Sequence, residues 1–370
     1  MKIDKTQLIT PGDTIRETLD VLGMPQGELA ERIGYQPSKL SQLIKGDISL
    51  TREMAGKLEM VLNIPALVWL NLESDYQQQQ LRLEQEQKLE AEVPLLEGFK
   101  ESIKFLKDAR LITARRRGVE QLRQLLRFFR VASLEDWSRI YIDKKYSVAF
   151  KRSLASVSNP QSTTTWLCFG ERQVDKLVPN LPPYDRKHFK SILADARELS
   201  IDEPLNFSRL KEMCAECGVA LATTPYVAKS SVYGATRWIA NRQHPLIQIS
   251  DRDKRADTCW FAFFHEAGHV LLHGKTKVFL EEIDGDLHEH DQHEEDEANA
   301  FARDLLMRGF PIERYINRTR EFKSLRQLET AASRFGIAPY ILIGQLLRAG
   351  VIKASLYRSK IPRVAFPVEL

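Results

Sequence analysis

Along the first 62 positions, apolar residues recur with helical spacing in four short bursts: Pro11 to Leu22, Gln26 to Ile33, Pro37 to Lys45 and Thr51 to Leu62. Gly23-Met24-Pro25, Gly34-Tyr35 and Gly46-Asp47 separate them, so the pattern predicts four short helices closed by turn formers. The string QGELAERIGYQPSKLSQLIKGD puts Ala30 where two helices cross, Gly34 in the turn, and Leu40 and Leu43 on the buried side of a helix-turn-helix bundle. Tyr76 to Glu90 (YQQQQLRLEQEQKLE) is rich in helix formers and extends the last helix outward until Pro94 interrupts it. It lacks the sustained heptads of a coiled coil. Amphipathic helices follow at Ile103 to Leu111 and Val119 to Phe129, then a turn-rich loop at Ser158 to Thr165, a break at Pro179 to Pro183, and a helix from Tyr184 to Leu199.

Three short strands come next: Gly218 to Thr223, Ser231 to Ile239 and His244 to Ser250, apolar, rich in β-branched residues and separated by turn formers. The apolar run Cys259 to Phe264 then enters His265-Glu266-Ala267-Gly268-His269, an H-E-x-x-H pattern. Residues four apart on a helix share a face, so two imidazoles can reach one zinc ion while Glu266 takes a proton from the water that zinc activates. Surface histidines are the competing reading, but Trp260, Phe263, Phe264, Val270, Leu271 and Leu272 mark a buried helix, where polar groups need partners. A third protein ligand should follow, leaving one position open. Glu281 to Glu297 holds ten acids with His288, His290 and His293, most of it read as a solvated loop. From Glu294 a helix with apolar positions Ala298, Phe301, Leu305 and Leu306 places Glu294 and Glu297 on the Phe301 side and turns Glu295 and Asp296 away. Two carboxylates remain. His273 either orients a ligand or lies exposed.

HEAGHVLLHG followed by an E-x-E-A-N-x-F-A-x-x-L-L-M run resembles the ImmA/IrrE family of bacterial metallopeptidases, over roughly Ser200 to Ile352. The resemblance implies an α+β zincin-like domain with a small sheet before its metal helix, and Zn2+ held by His265, His269 and Glu297, the glutamate directly before Ala-Asn; Glu294 is the second choice. It implies Glu266 as catalytic base and protein targets that include helix-turn-helix repressors. Arg237 is either a substrate contact or a structural ion pair, and spacing singles out none of Tyr233, Arg237 and Tyr315 as the oxyanion group. The acidic loop from Glu281 to Asp296 is a candidate lid. At the other end, the helix-turn-helix string resembles XRE/Cro-type domains, and its continuation to Tyr76 resembles HigA-type antitoxins. That likeness implies Gln36, Ser38, Lys39, Ser41 and Gln42 facing the major groove of operator DNA, Gln26 and Lys45 near phosphates, and a homodimer on two half-sites.

Charge complicates the DNA reading. Residues 1–75 carry eight Lys and Arg against eleven Asp and Glu, a net −3, whereas non-specific DNA affinity comes from cations. Dimerisation or docking to a partner is the alternative role for this bundle. The whole chain, 370 residues at +4 and pI about 8.7, is too mildly basic to imply nucleic acid without the motif. Four cysteines form no disulfide pattern, and Cys214-Ala215-Glu216-Cys217 stands in a segment read as buried helix, so structural cysteines are expected. MKIDKTQLIT lacks the apolar core of a signal peptide and no run spans a bilayer, so a soluble cytoplasmic protein without membrane partners is expected. The expected organisation is multidomain: an all-α helix-turn-helix bundle at 1–75, a helical connector at 76–195, the α+β peptidase core at 196–312 and a helical C-terminus at 313–370. Two functions follow. One is a DNA-binding regulator with a zinc endopeptidase that cleaves a partner repressor, a toxin or itself, the last in the connector near Arg115 to Gly118; the other is a non-catalytic, antitoxin-like repressor whose metal domain senses a ligand or buttresses a dimer.

Overall fold

A threonine starts the first helix. The computed structural model describes residues 8–145, 159–273, 279–282, 289–312, 324–353 and 357–370. Helix α1 (Pro11–Leu22) opens with a capping box: the Asp13 N–H donates to Thr10 Oγ1 at 3.0 Å, and the Thr10 N–H donates to the Asp13 carboxylate at 2.8 Å. Helices α2 (Gln26–Arg32), α3 (Pro37–Lys45) and α4 (Arg52–Leu62) follow. Ile15, Leu19, Leu29, Ala30, Leu40, Leu43, Leu58 and Trp69 form their shared core. Gly12 lets α1 touch the last turn of α3, since an added Cβ there would stand 2.2 Å from the Ile44 carbonyl oxygen. Gly34 takes φ +60° in the turn between α2 and α3, a conformation glycine adopts without steric cost. Helix α5 (Ala66–Glu92) runs unbroken for 27 residues, so the glutamine-rich connector continues a helix whose Trp69 is fully buried in this bundle. These elements belong to the first of two compact units, residues 1–94.

The second unit spans 95–370. Helices α6 (Lys100–Asp108), α7 (Val119–Phe129) and α8 (Leu134–Trp137) gather about Phe99, Phe129 and Trp137, with the Phe99 and Trp137 rings 4.8 Å apart. The loop expected at Ser158 to Thr165 is instead, from Pro160 onward, the first half of helix α9 (Pro160–Val174). Its serine and threonines misled the reading. Asn159 caps the helix by accepting from the Ser162 N–H at 2.8 Å, and the Thr164 and Thr165 hydroxyls donate to the carbonyls of Pro160 and Gln161 at 2.7 Å, so those two hydroxyls are satisfied where they are buried. Helices α10 (Arg186–Asp202) and α11 (Phe207–Glu216) lead into the sheet, with Cys214 and Cys217 buried as free thiols.

Among the described residues four strands rather than three build that sheet: β1 (Ala220–Thr224), β2 (Val232–Ile239), β3 (His244–Ser250) and β4 (Phe279–Glu282), in the order β1-β3-β2-β4. β1 pairs parallel with β3; β2 pairs antiparallel with both β3 and β4. Alternation sorts its side chains by face. Val219, Leu221, Ile247 and Ile249 join the core beneath helix α12 (Ala256–Leu272), while Ala220, Ala222 and Leu246 join Val174 of α9 on the other side. On that second face Gln248 donates to the Trp166 carbonyl at 2.7 Å and accepts from Arg237 at 2.8 Å, a fully buried polar link between strand and helix. Helix α13 (Glu289–Met307) crosses α12, and α14 (Leu325–Phe335) and α15 (Pro339–Arg348) supply the helical C-terminal piece. Among the described residues no helix is long and apolar enough to cross a membrane.

Candidate metal centre and nucleic-acid interface

Helix α12 is apolar on every side, so it is buried along almost its whole length, and its polar residues are held among core side chains. His265, Glu266 and His269 are each at most 2% exposed. Their neighbour is decided by Gly268, where a Cβ would lie 3.2 Å from Ala298 Cα and 3.2 Å from Phe301. This close crossing turns the small-residue face of α13, Ala298 and Ala302, toward α12. Glu295, one turn before Ala298, shares that face. Its Oε2 stands 3.1 Å from His265 Nε2 and its Oε1 3.4 Å from His269 Nε2.

The carboxylate brought to the two imidazoles is therefore Glu295, which corrects the placement of Glu297 and of Glu294 as its substitute. Taking Phe301 as the centre of the buried face rotated the expected helix by the width of one residue; the alanines are its centre. Glu297 lies on the flank with its Oε2 3.1 Å from His273 Nε2, and His293 Nε2 is 3.5 Å from its other oxygen. The acidic segment is also more regular than expected, being β4 at 279–282 and helix from Glu289; residues 283–288 of the candidate lid, with His288, lie outside the described residues.

Second partners fix the imidazoles. Asn299 Oδ1 stands 3.1 Å from His265 Nδ1, so that nitrogen carries the proton and donates, leaving Nε2 with a lone pair. His273 donates from Nε2 to Glu297, so its Nδ1 accepts from His269 Nδ1 at 2.9 Å, and His269 Nε2 is likewise unprotonated. The two Nε2 atoms are 3.0 Å apart and the ligand atoms of His265, His269 and Glu295 lie within 4.8 Å of one another. Three lone-pair donors thus converge with no proton between them, an arrangement that fits a cation, and two imidazoles with one carboxylate suit zinc. Burial pushes His269 down to about 4, keeping it neutral at physiological pH.

Glu266 is fully buried and points at β2. A register shift between Val232 and Gly234 bends that strand, and Gly234 leaves the space the carboxylate fills: a Cβ there would stand 2.5 Å from Glu266 Oε1. Thr236 ties the same strand to α12 by donating to the Glu266 carbonyl at 3.1 Å. Arg237 faces the other way, 3% exposed, donating to Glu171 at 3.0 Å and to the Leu167 carbonyl at 2.8 Å, so it is a structural link between β2 and α9. Tyr233 donates to Asp253 at 3.2 Å, and Tyr315 lies outside the described residues. Asn299 was missed by sequence reasoning, although its place four residues after Glu295 put it within one helical turn of the site.

In the first unit, Leu40, Leu43 and Ile44 bury one side of α3 and leave Ser38, Lys39, Gln42 and Lys45 exposed on it, with Gln36 exposed at its N-cap. Ser41 and, at the start of α2, Gln26 are half-buried. A helix so presented can enter a major groove, its amides and hydroxyls reaching base edges and its lysines the phosphates.

Known proteins match both units. Residues 15–69 match the helix-turn-helix family model, and residues 225–342 match the model of the IrrE N-terminal-like domain. The chain is 42% identical over 64 residues to the uncharacterized HTH-type transcriptional regulator YddM of Escherichia coli (strain K12), a stretch covering 17% of this chain and 68% of that protein. The chain thus belongs with the helix-turn-helix transcriptional regulators through its first unit, and fuses to it an IrrE/ImmA-like metallopeptidase-family domain in its second.

Proposed function

We propose that this chain is a DNA-binding regulator whose second unit is a zinc-dependent endopeptidase, cleaving a partner repressor, a toxin or the chain itself to control gene expression. The observation that carries the reading is the convergence of the His265, His269 and Glu295 lone pairs beside a buried Glu266. His265, His269 and Glu295 would hold the ion, which when bound would polarise a carbonyl and make water acidic near neutral pH. Glu266 takes the proton of the attacking water and returns it to the departing amine, with Gly234 leaving its carboxylate room. A structural site has no need of such a carboxylate, and its presence favours catalysis over a purely sensing role.

In the first unit, Gln36, Ser38, Lys39, Ser41 and Gln42 read the operator's major groove, and Gln26 and Lys45 contact phosphates. The bundle's acidic balance makes a homodimer on two half-sites the form that binds tightly. The test incubates zinc-loaded wild type and Glu266→Gln with operator DNA and the repressor or toxin encoded beside the gene, following fragments by mass spectrometry. Fragments from wild type alone support the protease. Intact proteins in both, with operator binding unchanged, favour the non-catalytic repressor.

A further inference from the structure

Behind His265, on the Nδ1 side of its ring, the second unit holds a pocket of about 410 Å³ between α12, α13 and the end of α15. Phe261, Ile312 and Ala349 give it an apolar wall; Asn299, Arg303, Gln345 and Arg348 give it hydrogen-bond donors. Three of these donors are uncommitted. Gln345 is only 7% exposed and its amide makes no hydrogen bond among the described residues, so its donors are free to meet a ligand in the pocket. Arg303 has no ion pair among the described residues. Arg348 has none either, and its guanidinium carbon lies over the Phe261 ring, 4.4 Å from the centroid, which holds the group at the pocket lining. Asp296 is the one acid among the described lining residues and accepts from Gln292 at 3.1 Å; against it stand Arg303 and Arg348, so these residues together are net positive.

We propose that this pocket binds a small organic anion, a carboxylate or phosphate ester with an apolar portion, and that its occupancy steadies the metal centre through Asn299. The two guanidinium groups take the anionic oxygens, the Gln345 amide adds a neutral donor, and the apolar portion lies on Phe261 and Ile312. Asn299 joins the pocket to the centre: its Oδ1 accepts from His265 Nδ1 at 3.1 Å, and the residue itself lines the pocket. Phe261 makes a second link, stacked on the His265 ring at 6.3 Å and 30°. An occupant that holds the Asn299 amide therefore also fixes the ring that its oxygen orients. The binding claim stands by itself, whereas the effect on the metal rests on the zinc reading above.

Calorimetric titration of the zinc-loaded full chain with succinate and with inorganic phosphate tests the binding, each taken to about 10 mM, and the tighter probe tells which oxyanion the pocket prefers. Arg303→Gln with Arg348→Gln weakens the preferred probe by about tenfold or more, and Gln345→Leu weakens it measurably. Arg209→Gln, a charge loss on α11, leaves it unchanged. Both substituted arginines are exposed, so the double variant keeps its fold, which circular dichroism checks. Equal affinity in wild type and the double variant, or no binding of either probe, overturns the proposal. Zinc release to a chelator supplies the second readout: the preferred anion slows release from wild type and not from the double variant. Binding without any change in release removes the coupling and leaves the pocket, and neither result depends on whether Glu266→Gln abolishes cleavage.

Discussion

Replacing Gly234 by alanine should disable the proposed base while leaving the metal in place. The new Cβ would stand 2.5 Å from Glu266 Oε1, 2.9 Å from its Cγ and 3.0 Å from its Cδ. Ordinary contact begins near 3.4 Å, so the carboxylate oxygen must retreat by about 0.9 Å, the difference between those two distances. Glu266 is fully buried on a helix packed on every side, so the retreat takes the form of a rotamer change rather than a shift of α12. A displacement of about 1 Å at a reacting group costs on the order of 100-fold in turnover, about 2.7 kcal/mol of barrier. The three atoms nearest the methyl group all belong to Glu266 and none to His265, His269 or Glu295, so zinc content should stay near that of wild type. The assay is the initial rate of fragment appearance from the identified substrate, with zinc measured on the same samples. Unchanged turnover in Gly234→Ala would refute the reasoning, and so would loss of zinc in step with turnover, which would mean that the strand and not the carboxylate had moved.

The tautomer argument predicts that Asn299→Ala and His273→Ala each weaken zinc binding by about 10- to 100-fold, read by competition with a fluorescent chelator; unchanged affinity would leave the imidazoles oriented by something else. In the first unit, Lys39→Gln and Lys45→Gln should each reduce the salt-dependence slope of operator binding by about 1, measured by fluorescence anisotropy across a salt series, and an unaltered slope would move the DNA face elsewhere. Thr10→Ala should cost the bundle about 1 kcal/mol by loss of the cap. Burial tends to raise the Asp13 carboxyl, but hydrogen bonds from Thr10 and Arg16 outweigh it and hold that carboxyl below its ordinary value. The contribution of a depressed carboxyl is present above its unfolded-state value and disappears as pH falls through the folded one, so the difference between wild type and Thr10→Ala should be full at neutral pH and shrink below about pH 4. Denaturant midpoints at pH 7 and pH 3 check this, and a difference that grows in acid would contradict it.

The parts of this architecture that were legible in sequence are those in which one local rule dominates. Four-residue spacing puts His265 and His269 on one helical face whatever surrounds them, and glycines at 23, 34 and 46 end or turn the chain without tertiary help. The third carboxylate was not legible because adjacent acids differ by only 100° around α13, and the choice among them depends on which face meets α12. That face is set by a helix crossing at Gly268, a tertiary fact, and it selects alanines where hydrophobicity pointed to Phe301. Helix α9 was hidden for a related reason. Ser162 to Thr165 look like loop residues by composition, but Asn159 and Pro160 stand at the N-cap and first helical position, a start signal that was present and outweighed. β4 was hidden by its glutamates, which belong to an edge strand at the border of an acidic run.

The account turns on the identity of the third carboxylate. The direct measurement is zinc per chain, by mass spectrometry of the element after dialysis, in wild type, Glu295→Gln and Glu297→Gln. The geometry predicts about one zinc in wild type, well under about 0.3 in Glu295→Gln, and close to the wild-type value in Glu297→Gln with zinc held more weakly through the disturbed His273. Full zinc in Glu295→Gln together with its loss in Glu297→Gln would contradict the placement of α13 against α12, and with it the site described above.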